Sequence, residues 1–148
     1  MPISAYVFLA LTMGVTVTLQ PLMNAILARA IGSPFGAAAI SISVAAVGAI
    51  VMVAITGPGT MSRATLASVP WWVYLAGLIG TLFVAGGVVI APVTGAQLFF
   101  ISVIAGQLIG ATLADHFGFF GLDVRPVSLE RLLGLALVLG GAFLVQRG

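Results

Sequence analysis

A chain of 148 residues with 61% hydrophobic and only 5% charged side chains cannot present a polar surface to water, since a soluble domain carries roughly a quarter of its residues charged. Five arginines, three acids, one histidine and a net charge of +2 give no basic face for nucleic acid, and the arginines stand singly between apolar runs. Cysteine is absent, which excludes disulfides, thiolate chemistry and cysteine-bound metal.

The composition instead predicts an all-α membrane protein. A spanning helix needs ~20 mostly apolar residues, at 1.5 Å rise each, to cross ~30 Å of hydrocarbon. Cutting the chain at its polar and Pro/Gly breaks predicts five such transmembrane helices with short loops, over residues 3–28, 34–56, 70–91, 94–117 and 128–146. They are read as a single membrane domain over residues 1–148. Residues 1–6 carry no basic charge, so the first run reads as a retained helix rather than a signal peptide.

The first helix carries Thr12, Thr16, Gln20 and Asn24 at intervals of four, one slowly drifting stripe along its surface, with Pro21 freeing a backbone carbonyl. In hydrocarbon each polar group needs a partner, a cavity or a role. Gln20 and Asn24 therefore read either as substrate-binding groups or as hydrogen-bonding glue between helices, and the two threonines read as glue. Pro34 opens the second helix and Gly57-Pro58-Gly59 ends it. The polar stretch at residues 57–69 reads as a loop with an interfacial turn. Trp71, Trp72 and Tyr74 then open the third helix at headgroup level, and Pro92 ends or kinks it.

The fourth helix holds Gln107 deep in its span and the adjacent titratable pair Asp115 and His116 at its end. A carboxylate and an imidazole at a membrane edge can take up and release protons, which suits proton-coupled transport. The alternative is structural, with both capping the helix or binding Arg125. Ser128 and Glu130 supply a cap and a first-turn acid for the fifth helix. The 19 glycines, with pairs such as Gly77/Gly80, Gly106/Gly110 and Gly140/Gly141, predict close helix packing.

One histidine, no cysteine and no intramembrane carboxylate pair argue against an enzyme, and no cofactor or metal is expected. Arginines divide almost evenly between the two sides of a five-helix topology, with Arg29 and Arg147 against Arg63, Arg125 and Arg131. So weak a bias allows insertion in both orientations and an antiparallel homodimer of ten helices, an inverted repeat built from two chains.

Several stretches resemble the YdcZ-like small inner-membrane proteins of bacteria, in the drug/metabolite transporter superfamily. They are Gln20 to Leu27, Gly32-Ser33-Pro34, Pro70-Trp71-Trp72, the run from Pro92 to Ala96, the run from Gly106-Gln107 to Gly118, and Pro126 to Arg131 with Gly134 and Gly140-Gly141. The resemblance implies five helices per chain in the bacterial inner membrane, transport, and function as antiparallel pairs. Unlike the small multidrug exporters of that superfamily, the first helix has no acid, which leaves Asp115 and His116 as the proton-coupling candidates.

The expected protein is thus a small-molecule exporter. Its partners are membrane lipid, a neutral or weakly charged substrate contacted by Gln20, Asn24 and Gln107, and a second copy of itself. A non-transporting subunit of a membrane complex is the alternative.

Overall fold

The computed structural model describes residues 2–147, which form helices and loops without a strand. Five segments are long and apolar enough to cross a membrane: Ile3–Ile31, Pro34–Thr56, Trp71–Thr94, Ala96–Phe117 and Leu129–Arg147. All five predicted spans are present, the second with its predicted bounds and the other four with at least one end shifted.

Helix α1 (Ile3–Ile31) has 29 residues, about 43 Å at 1.5 Å each, and so exceeds the ~30 Å hydrocarbon core. It runs past Arg29, where the sequence predicted a stop, because a cation in the last turn suits the helix dipole. Gly32, at φ 69, ends it with its N–H bonded to the Ala28 carbonyl. Helix α2 (Pro34–Thr56) begins at once, with Pro34 in its first turn and the Ser33 hydroxyl accepting the Gly36 N–H at 3.0 Å.

The polar stretch after α2 folds further than predicted. Ser62 caps a short helix, α3 (Arg63–Ser68), by accepting the Thr65 N–H at 3.1 Å. The Tyr74 hydroxyl donates to the Leu66 carbonyl at 2.7 Å, fastening α3 to the 3-10 turn Trp71–Leu75 that opens the third span. Helix α4 (Ala76–Thr94) follows and continues through Pro92. The break falls instead at Gly95, whose φ of 81 and ψ of 151 no helix accommodates.

Contacts divide the chain into two compact units, with the boundary between Val93 and Thr94. The first holds a small core of Ala37, Ala38 and Val88, with Leu27, Ala28, Val84 and Ala85 packed against it. In the second, α5 (Ala96–Phe117) packs on α6 (Leu129–Arg147). The Ser128 hydroxyl accepts the Arg131 N–H at 3.3 Å, the predicted cap of the last helix.

The buried apolar residues are Ala25, Ala37, Ala38, Val88, Ala91, Phe99 and Ala105, mostly alanines, while large side chains along every span are exposed. That surface suits lipid or another chain. Among the described residues of each unit, the pairs Gly77/Gly80, Gly106/Gly110 and Gly140/Gly141 do not make the close packing expected of them. A Cβ added at Gly77, Gly80, Gly106, Gly110, Gly134, Gly140 or Gly141 meets no heavy atom within 4 Å among the described residues, so those faces are open.

Candidate functional site

The candidate residues fall into two groups, one in each unit. On α1, Thr12, Thr16 and Gln20 line an open groove of about 470 Å³ together with Met13 and Val17. Pro21 has no N–H to give the Val17 carbonyl, so that oxygen is released on the groove's own wall. The two threonines are committed to their helix: Thr12 donates to the Leu9 carbonyl at 2.7 Å and Thr16 to the Thr12 carbonyl at 2.8 Å. Their glue is therefore intrahelical, which leaves Gln20, half-buried, as the amide that lines this groove.

Asn24 differs from the rest of the stripe. It is 7% exposed, and its Nδ2 has no hydrogen-bond partner among the described residues. A buried, unsatisfied amide costs roughly 1–3 kcal/mol. Such a group calls for a ligand, a water or a second chain to complete it.

On α5, Gln107 lies midway along the helix with its side chain exposed, and no hydrogen bond engages its amide among the described residues. Asp115 and His116 both bond to the segment that follows them. The Asp115 carboxylate stands 3.5 Å from the Arg131 guanidinium, and its backbone carbonyl accepts the Arg125 N–H at 2.8 Å. His116 Nδ1 accepts the Val127 N–H at 3.2 Å. Arg131 Nη1 also donates to the Arg125 carbonyl at 3.4 Å. The sequence alternative in which these residues bind Arg125 is met between backbones, by the Arg125 N–H on the Asp115 carbonyl. Arg125 contributes its backbone, and Arg131, in the first turn of α6, supplies the charge.

Sequence reasoning missed a groove of about 450 Å³ along the α5–α6 seam. Leu108, Ala111, Thr112 and Asp115 line it from α5, and Arg131, Gly134, Leu135 and Val138 from α6. Each set is spaced i, i+3, i+4, i+7, the stripe by which one helix faces another. That spacing is visible in the sequence. What hid it is that only its last α5 residue and first α6 residue are charged.

A sequence model of the family described as "Putative inner membrane exporter, YdcZ" matches residues 5–144. The chain belongs to the YdcZ family. It is also 33% identical over 82 residues to the inner membrane protein YdcZ of Escherichia coli (strain K12), a match covering 55% of this chain and 54% of that protein. The match thus spans about half the length of the curated relative. No solved structure matches the chain. Family membership and five apolar spans make this a multi-pass inner-membrane protein, and the YdcZ description is that of an exporter rather than an enzyme.

Proposed function

We propose that this YdcZ-family chain exports a small molecule by alternating access, working as an antiparallel homodimer in which Gln20, Asn24 and Gln107 contact the substrate. The observation that carries the reading is the buried Asn24 amide, whose Nδ2 has no partner among the described residues. The uncommitted amide of Gln107 supports it, as does an arginine distribution that favours neither orientation. Uncovered spans and open glycine faces are what a chain completed by a second copy would present. The substrate is neutral or weakly charged, because amides and hydroxyls rather than charges mark the candidate contacts. Tight binding of a dication or a polyanion would contradict this.

Proton coupling is assigned to Asp115 and His116. With Nδ1 accepting from Val127, a proton arriving at that nitrogen displaces the Val127 N–H. A proton on Asp115 weakens its hold on Arg131. The first event frees residue 127 and the second loosens the start of α6 at Arg131, which gives proton uptake a mechanical consequence.

Because the chain has no cysteine, Thr60→Cys in the loop before α3 can be labelled with a membrane-impermeant thiol reagent in intact cells. Labelling of about half the molecules is expected from dual insertion, and labelling of all or none overturns the antiparallel homodimer. Flux of a panel of neutral and singly charged solutes through liposomes holding the purified chain tests transport itself. No flux for any of them would favour a non-transporting subunit. Proton-driven flux unchanged in Asp115→Asn with His116→Ala would remove those two residues from coupling.

A further inference from the structure

We infer that the groove between α5 and α6 is a lipid site, selective for a zwitterionic headgroup with a primary ammonium and a phosphate diester, the chemistry of phosphatidylethanolamine.

The groove is polarised along its length. Asp115 and Arg131 close one end, where α5 stops and α6 starts, and Leu108 and Val138 lie at the other. Residues 108 and 115 are about 10 Å apart along the helix axis, so the apolar part reaches about a third of the way into the hydrocarbon. A cavity of about 450 Å³ lies within the usual range for ligand pockets, roughly 300–1,000 Å³. Charge at the membrane edge and an apolar slot running inward match the arrangement of a lipid, headgroup outermost.

The charges are only partly used. The pair is long at 3.5 Å, with side chains 39% and 36% exposed. Among the described residues Arg131 engages protein through Nη1 alone and Asp115 engages it through Oδ2, which leaves guanidinium N–H groups and the Asp115 Oδ1 for a ligand. Guanidinium N–H groups aligned in a plane suit phosphate oxygens, and a free carboxylate oxygen suits an ammonium N–H. Thr112 is already bonded to the Leu108 carbonyl at 2.7 Å, so it adds no competing demand.

The same arrangement sets the selectivity. A purely anionic headgroup meets Asp115, and a purely cationic amphiphile meets Arg131, each with one like charge at the mouth. A quaternary ammonium has no N–H for the carboxylate and would need aromatic faces, which the lining lacks. Ethanolamine is therefore preferred to choline and glycerol headgroups. Lipid retention is read without flux, so its failure would leave the exporter reading intact, and the converse holds.

The test is native mass spectrometry of the purified full-length chain in detergent, titrated with phosphatidylethanolamine, phosphatidylcholine and phosphatidylglycerol of identical dioleoyl chains. One phosphatidylethanolamine per chain is expected, retained about tenfold more strongly than the other two, the worth of one charge-assisted hydrogen bond. Asp115→Asn should erase the preference over phosphatidylcholine. Gly134→Leu fills the slot, where an added Cβ meets nothing within 4 Å, and should abolish retention of all three lipids without touching the ion pair. Equal retention of the three lipids by the wild-type chain overturns the proposal and requires no variant to fold. So does undiminished phosphatidylethanolamine binding in Gly134→Leu, or a Gly134→Leu chain that loses its dimer rather than its lipid, which would make a second copy the occupant.

Discussion

The imidazole of His116 accepts the backbone N–H of Val127, eleven residues further on, at 3.2 Å. This bond and the Asp115 carbonyl's bond to the Arg125 N–H fold the segment after α5 back against its end. His116 also meets the Phe117 ring edge to face, with centroids 4.7 Å apart. A residue that sequence alone presents as a titrating group is here also an anchor.

His116→Phe keeps an aromatic ring and removes the acceptor. The Val127 N–H is then left without its partner, at a cost of about 1 kcal/mol. Hydrogen exchange followed by mass spectrometry should show faster exchange over residues 119–127 and no change in the first unit. Unchanged exchange there would mean that the bond does not hold the segment.

The turn itself depends on Gly118. At φ 62 it sits in the left-handed region, and an added Cβ would lie 2.8 Å from Val124 Cγ2 and 3.0 Å from the Leu122 carbonyl oxygen. Gly118→Ala meets both the left-handed backbone cost, about 1–2 kcal/mol, and that contact. A clear fall in thermal stability in detergent is expected. Gly14→Ala is the matched control, since a Cβ there meets nothing within 4 Å, and it should leave stability unchanged or slightly raised. Equal melting temperatures for the two variants would contradict the turn geometry.

How far the sequence carries can be judged at this same corner. The spans were legible because an uncharged apolar run of ~20 residues matches the thickness of hydrocarbon that a helix must cross. Ser128 was legible as a cap because its hydroxyl precedes an apolar helix. Gly118 and Gly121 also signal a turn. Phe120 does not: it takes φ 59, which a bulky side chain rarely adopts, and nothing local announces it. Without that turn the path of residues 118–128 is open, and Arg125 is as good a partner for Asp115 as Arg131. The helix ends moved for similar reasons, since Arg29 fits inside a last turn and Pro92 within a helix that Gly95 terminates.

Open glycine faces lead to a prediction about assembly. Gly106 and Gly110 lie one turn apart on α5, and a Cβ at either meets nothing within 4 Å. If they seat a second copy, Gly106→Leu should leave helicity by circular dichroism unchanged while converting dimers to monomers in size-exclusion chromatography with light scattering. Should the dimer persist, this face looks onto lipid, and the interface of the proposed antiparallel pair must be sought on another helix.

Asn24 allows stability and function to be separated. Its amide nitrogen is buried without a partner among the described residues, so replacing the side chain by an apolar one of similar size removes a desolvation cost of about 1–3 kcal/mol and opens no cavity. Asn24→Leu is therefore expected to melt at the same temperature as the wild-type chain or higher, yet to lose flux in liposomes, because the donor proposed to meet the substrate is gone. Few substitutions of a buried polar residue have that pairing of effects: an amide serving as glue between helices would, on removal, lower stability and leave flux to follow it. Asn24→Gln keeps the amide but lengthens its reach, so partial flux with reduced stability is expected. A melting temperature that falls in Asn24→Leu would assign the amide to packing, through a bonding partner supplied by lipid, water or the second chain, and would remove it from the substrate path.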